Sequence, residues 1–365
     1  MRKSTRCVGN QVNGSALPFH GLFLWLGVRR FHQKEIRVLT KDDIKGVAGM
    51  VPTPCKENGE GWDSTDSVDL DETARMTEKY VRDGIGVIAA CGTTGECAAL
   101  LWEEKKAFVD AIVQVNRKRV PVFAGATALG TKETIQQMRG LKDVGADGAF
   151  VGLPLWQTPT IENAVRFYAD LGEAVPDMPI LVYANARVFK SDFPTAFWEK
   201  LAHTARTVVV TKMSYSHANL LDDLRVAGGQ INFMPGESAI YAAYRMARPR
   251  ITAIWSSGMT CMGPEPVVAL ADAILRDDEK LVDEIWEDIR SLPPGVPPGE
   301  FATGFAKYNA QSNKYLTNAA GYIKGGPCRA PYRISDLPEN WKKQADLRAE
   351  AWKKLRKKYM KPVGP

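Results

Sequence analysis

From Asp43 to Arg276 the chain alternates eight times between a short apolar run and a longer segment with helical spacing. The runs predict strands at Gly46–Pro54, Gly86–Ala90, Val120–Thr127, Asp147–Leu153, Ile180–Tyr183, from Thr207, at Ile231–Met234 and at Ile251–Ser256. Helices are predicted at Asp69–Asp83, Leu100–Arg119, Thr131–Val144, Thr160–Ala174, Asp192–Thr204, Ala218–Ala227, Ser238–Ala247 and Pro266–Arg276. Stop and start signals agree: Asp69 and Thr131 stand as caps, Gly84 follows the first helix, and Pro194 sits in a first turn, where its missing N–H costs nothing. Runs that are apolar without alternation, such as Thr207–Val210, suit strands buried on both faces of a parallel sheet. Eight strand–helix units in about 235 residues, with no GxGxxG after the first strand, point to a closed (β/α)8 TIM barrel rather than an open dinucleotide-binding sheet.

What lies outside the repeat is different in kind. Residues 1–40 are expected to be a disordered N-terminal extension. The apolar stretch Leu17–Gly27 inside it is too short to span a membrane. Residues 279–365 are expected to be a C-terminal helical extension, with a Gly/Pro-rich stretch at Gly325–Tyr332 and a basic, helix-like, solvated tail over 340–359. The net charge of +6 comes from these ends: 1–41 carries eight Lys/Arg against one Glu, and 340–365 nine against two acids. The 31 basic and 39 acidic residues between them leave the body at −8, which argues against a nucleic-acid-binding core. Six scattered cysteines without a CxxC pair read as reduced thiols of a cytoplasmic protein. Four histidines with no HxH or HExxH spacing give no metal site.

In such a barrel the chemistry belongs at the C-terminal ends of the strands. Those ends carry Thr53, the turn Gly92-Thr93-Thr94-Gly95-Glu96, Pro154–Trp156, Tyr183 with Asn185, Lys212, Gly236-Glu237 and Trp255–Gly258. A lysine at the end of a buried strand is costly to keep charged, so its pKa falls and its free amine becomes a nucleophile. Such an amine condenses with a ketone to an iminium, an electron sink for making or breaking a bond at the neighbouring carbon. A phenol such as Tyr183 can move protons for that chemistry. The amides and hydroxyls of Thr93, Thr94 and Gly95 can hold a carboxylate beside the ketone. Glu96 reads as a structural partner rather than a base, and Cys91 and Cys97 as packing residues.

The GTTGE turn after the second strand, Tyr183 after the fifth and Lys212 after the sixth resemble the dihydrodipicolinate synthase / N-acetylneuraminate lyase superfamily of pyruvate aldolases. The resemblance covers about 43–339. It is most similar to the hydratase-aldolases of aromatic hydrocarbon catabolism, which act on trans-o-hydroxybenzylidenepyruvate and trans-2'-carboxybenzalpyruvate. The stretches that carry it are Val68–Arg75, Thr94–Ala98, Leu101–Lys105, Tyr183–Asn185, Ile251–Gly258, Lys307–Asn309 and Gly326–Tyr332. Where the synthases have Tyr-Tyr after the fourth strand, this chain has Leu155-Trp156, and their Tyr-Asn-x-Pro is Tyr183-Ala-Asn-Ala. These departures speak against lysine biosynthesis and for a flat aromatic substrate.

The resemblance implies a lyase in which Lys212 forms the Schiff base, Tyr183 and Thr93 relay protons and Asn185 positions water. It implies that Thr94, Gly95 and Gly236 line the substrate site, that Trp156 and Trp255 wall it, and that Arg187 meets a carboxylate on the ring. It implies no cofactor, since the iminium is the electron sink, and small-molecule partners only: an arylidenepyruvate and pyruvate, no nucleic acid, no membrane, and a homotetramer. Two alternatives stay open. One is a pyruvate aldolase or synthase with another acceptor. The other is a non-catalytic barrel whose basic tails bind nucleic acid.

Overall fold

The computed structural model describes residues 37–360; the predicted extension lies almost wholly outside them. Eight parallel strands form the centre: β1 (Gly46–Met50), β2 (Val87–Ala90), β3 (Val122–Gly125), β4 (Gly148–Val151), β5 (Ile180–Asn185), β6 (Val208–Ser214), β7 (Asn232–Met234) and β8 (Ala253–Ser256). Their order is β7-β6-β5-β4-β3-β2-β1-β8. Trp255 N donates to Pro235 O at 3.0 Å, and a parallel bridge joins Gly236 to Trp255. The barrel therefore closes just beyond β7, at its C-terminal rim.

The helices are α1 (Leu70–Arg82), α2 (Trp102–Asn116), α3 (Thr131–Asp143), α4 (Ile161–Ala174), the single turn α5 (Ala186–Phe189), α6 (Thr195–Thr204), α7 (Leu220–Val226), α8 (Ile240–Ala247), the short α9 (Gly258–Cys261), α10 (Glu265–Leu275), α11 (Glu279–Arg290), α12 (Phe301–Ala320) and α13 (Glu339–Tyr359). The TIM-barrel reading holds, with every predicted strand and helix present. Boundaries moved for local reasons. The first strand stops at Met50, because Pro52 and Pro54 cannot donate to a ladder. The second helix is shorter than predicted: Glu104 caps the amide of Leu101 at 2.9 Å, and Arg117 and Lys118 turn to positive φ. Gly130, not Thr131, stands at the N-cap of α3, and α6 begins only after Pro194, which is its N-cap rather than part of its first turn. Asp69 caps α1 as predicted, accepting from Glu72 N.

The tail is not simply a solvated helix. Trp341, Ala345, Ala349 and Trp352, spaced by four, four and three, form a buried stripe along α13. Trp352 Nε1 donates to Gly263 O at 2.9 Å, and Arg356 makes a two-pronged pair with Glu265 at 2.6 and 2.7 Å. The charge run hides an amphipathic face that docks on α10 and α12.

Candidate active site

Strand β6 delivers Lys212 because its pore-facing side chains repeat every second residue and its pairing with β5 is parallel. In that register Tyr183 lies beside Lys212 and Asn185 beside Ser214. The Lys212 side chain is 5% exposed. Its Nζ lies 3.5 Å from the centre of the Trp255 ring and 4.4 Å from that of Tyr183, and donates to Ser214 Oγ at 2.8 Å. Burial pushes its pKa down to about 7, against the opposing field of Glu237. The π faces favour the cation, but desolvation outweighs them. Near neutral pH a large share of the amine is thus free to attack a carbonyl.

Tyr183 is the second element. Its hydroxyl is 2.9 Å from Thr93 Oγ1 and accepts from Asn185 Nδ2 at 3.3 Å. The Asn185 amide has one orientation, because its Oδ1 accepts from the backbone amides of Arg187 and Val188, both at 3.1 Å, and so caps α5. Besides accepting from Asn185, the phenol shares with the Thr93 hydroxyl one hydrogen bond that either oxygen can donate. Burial raises the Tyr183 pKa despite the hydrogen bonds from Thr93 and Asn185, so it stands as a neutral acid at pH 7. Phe150 and Phe189 flank its ring at 4.7 and 5.2 Å between centroids.

The turn that carries Thr93 and Thr94 is closed through the amides of Glu96 and Cys97, and Thr53 Oγ1 donates to Gly95 O at 2.8 Å. Glu96 sits in the left-handed region at φ 52°, which costs a non-glycine residue energy. It is held there by two cations from the C-terminal extension. Lys314 Nζ is 2.7 Å and Arg329 Nη1 2.8 Å from its Oε2, all three side chains being at most 3% exposed. Arg329 also reaches the carbonyls of Thr53, Pro54 and Ser67. This bears out Glu96 as a structural carboxylate.

Of the residues singled out from the sequence, Lys212, Tyr183, Asn185, Thr93 and Trp255 come together. Gly236 serves them indirectly: a Cβ there would come within 2.2 Å of the Trp255 indole, so only glycine lets that ring fold over the lysine. Trp255 is pinned by Nε1 donating to Met213 O at 2.8 Å. Thr94 is half-buried and Arg187 exposed on α5. Trp156 is not brought up to the group around Lys212: it is 87% exposed on the loop after β4. The place of an inward wall is taken by Phe189, which packs so closely on Gly152 that a Cβ there would lie 1.8 Å from the ring. Sequence reasoning missed Ser214, Phe150, Phe189, Lys314 and Arg329. The two-residue period marks Ser214 as sharing the lysine's face; nothing local marks Arg329, which lies 233 residues from Glu96. Among the described residues no group of three or more His, Cys, Asp or Glu is gathered to hold a metal ion, and no helix is long and apolar enough to cross a membrane.

Comparison with known proteins agrees with this geometry. The Dihydrodipicolinate synthetase family pattern matches residues 44–244. Trans-O-hydroxybenzylidenepyruvate hydratase-aldolase of Pseudomonas aeruginosa is 41% identical over 327 residues, 88% of this chain and 96% of that protein. Trans-2'-carboxybenzalpyruvate hydratase-aldolase of Nocardioides sp. (strain KP7) is 36% identical, over 88% of this chain and 97% of its own. Among solved structures, PhdJ bound to a substrate intermediate superposes with a TM-score of 0.83 at 36% identity, covering 88% of this chain and 99% of PhdJ. On the family pattern and these near full-length relatives, the chain belongs to the Dihydrodipicolinate synthetase family.

Proposed function

We propose that the chain is a Schiff-base hydratase-aldolase, which converts a 4-aryl-2-oxobut-3-enoate and water into an aromatic aldehyde and pyruvate. The observation that carries this is the buried, partly neutral amine of Lys212 beside the Tyr183–Thr93 hydroxyl pair at adjoining strand ends. The 41% and 36% identical relatives, with their hydroxylated and carboxylated substrates, support the substrate class.

Lys212 Nζ adds to the 2-keto carbon, and loss of water gives an iminium conjugated to the C3–C4 double bond. The substrate carboxylate sits at the amides of Thr94 and Gly95 and the Thr94 hydroxyl, the turn's own closure using the amides of Glu96 and Cys97 instead. Water held by the second hydrogen of Asn185 Nδ2 adds at C4. Its electron pair forms the C4–O bond as the π electrons move to nitrogen, and the enamine takes a proton at C3. Tyr183 then accepts the proton of the C4 hydroxyl while passing its own to Thr93, whose hydroxyl proton passes to solvent. The C3–C4 bond breaks toward the iminium and the aldehyde leaves. Protonation of the enamine at C3 and hydrolysis return pyruvate and the free amine. The rings of Trp255 and Phe189 supply apolar surface for the aryl group, and Arg187, on the exposed turn α5, reaches a ring carboxylate. The reading includes a homotetramer in the cytoplasm. Apolar side chains exposed on neighbouring loops, Leu129 at 60% and Trp156 at 87%, support subunit association, and the free thiols of the five described cysteines suit a reducing compartment.

The test is borohydride reduction in the presence of pyruvate, with the adduct located by peptide mass spectrometry, alongside turnover of both arylidenepyruvates. An adduct on Lys212 with release of aldehyde is expected. An adduct without turnover of either substrate would assign another acceptor; no adduct on any lysine would overturn the reading.

A further inference from the structure

We infer that Ser214 is a catalytic residue of Schiff-base formation: its hydroxyl carries the proton from the attacking nitrogen to the departing oxygen of the carbinolamine. This rests on the Lys212 reading above and adds a step to it that neither Tyr183 nor Thr93 serves.

Lys212 Nζ donates to Ser214 Oγ at 2.8 Å, and its other close neighbours are the ring faces of Trp255 and Tyr183. An aromatic face can attract N–H but cannot accept a proton from it. The serine is two residues along β6, on the pore face of the same strand, and half-buried, so its position is set by the strand and not by a loop. The Tyr183 hydroxyl is engaged with Thr93 and Asn185, whereas the Ser214 hydroxyl is the one hydrogen-bonded to the lysine nitrogen. A neutral amine that gives one N–H to Ser214 has its lone pair directed elsewhere, which is the arrangement attack requires.

The step balances. Attack of nitrogen on C2 forms the C–N bond and leaves a proton to be lost from nitrogen. Ser214 Oγ accepts that proton while its own O–H proton moves to the carbinolamine oxygen. A second passage round the same cycle carries the remaining N–H proton to the hydroxyl, so that the C–O bond breaks, water leaves, and the nitrogen lone pair forms C=N as the neutral imine. Ser214 ends as it began, with no outside acid or base consumed. The cycle N–H···Oγ–H···O–C2 has six members, a size that a serine hydroxyl touching nitrogen can close without moving the strand.

The experiment is rapid-quench borohydride trapping with pyruvate, comparing wild type, Ser214→Ala, Ser214→Gly and Ser214→Thr, each checked for fold by circular dichroism and thermal melting. Both variants without a hydroxyl should form the Lys212 adduct at least about 100-fold more slowly, from the lower end of the usual range for losing a proton-transfer group. They should also gain a rate term proportional to buffer concentration, as small acids and bases replace the hydroxyl. Ser214→Thr should trap within about threefold of wild type. A folded Ser214→Ala or Ser214→Gly that traps at the wild-type rate, or slows without buffer dependence, would overturn the inference. If wild type itself gives no adduct on Lys212, it is the proposed function that fails instead.

Discussion

Three lysines are buried among the described residues, Lys105, Lys212 and Lys314, and the last two do opposite things. Lys212 is 5% exposed and Lys314 is 1% exposed. Lys314 bonds to Glu96 Oε2 at 2.7 Å and to the carbonyls of Thr53 and Gly325 at 2.8 and 3.1 Å. Lys212 has aromatic faces and a serine hydroxyl instead. Burial alone therefore does not make a nucleophile. A buried ammonium given a carboxylate and carbonyls is an anchor, here for the turn that carries Thr93; the same group given neutral neighbours sheds its proton and becomes reactive.

The contrast is broken most sharply by the same substitution at both sites. Lys212→Met should lower kcat by about 10⁴-fold or more, as removal of a covalent nucleophile does, and should abolish the borohydride adduct. It should raise the unfolding midpoint, because an amine without an ionic partner leaves the core. Lys314→Met should do the reverse. It leaves Glu96 with Arg329 alone and the buried carbonyls of Thr53 and Gly325 without the donor they share, and should cost about 1–3 kcal/mol in denaturant unfolding. If both variants shift stability in the same direction, the distinction between anchor and nucleophile is wrong.

Tyr183→Phe separates chemistry from condensation. It keeps the ring against Phe150 and Phe189 and removes only the hydroxyl on Thr93. Aldehyde release should fall about 10²-fold or more while the pyruvate adduct on Lys212 still forms. Failure of the adduct to form would move Tyr183 into the condensation step.

A smaller effect sharpens the comparison through pH. Lys212 has its folded pKa lowered from 10.5 to about 7. Between those values the unfolded chain binds more protons than the folded one, so this group's contribution to stability rises with pH, by at most about 1.4 kcal/mol per unit. Below pH 7 the penalty is full, and above 10.5 it is gone. The stability difference between wild type and Lys212→Met should thus shrink from pH 7 to 9.5, and adduct formation should rise through about pH 7. A difference independent of pH would mean that Lys212 stays charged.

The smallest expected effect is at the rim. Arg187→Ala should reduce kcat/KM for a carboxylated arylidenepyruvate about 3- to 10-fold more than for a hydroxylated one, the range of a solvent-exposed ionic contact. Equal losses on both would remove Arg187 from ring recognition.

How much of this was legible beforehand follows the range of the interactions. The eightfold alternation, the cap at Asp69, the strand that ends in Lys212 and the GTTGE turn all depend on neighbours within a few residues. Backbone geometry turns that spacing directly into strands, helices and strand ends, so the sequence alone determined the barrel and most of its reactive groups. It also carried the stripe of Trp341, Ala345, Ala349 and Trp352, which the charge around it obscured. Only the tertiary structure decided which groups meet. Trp255 covers Lys212 because Gly236 has no side chain; Phe189 packs on Gly152 while Trp156 stays exposed; Arg329 and Lys314 converge on Glu96 from 233 and 218 residues away. A charge's proton affinity and a ring's role depend on what surrounds them in space, and contacts that long in sequence leave no periodic trace along the chain.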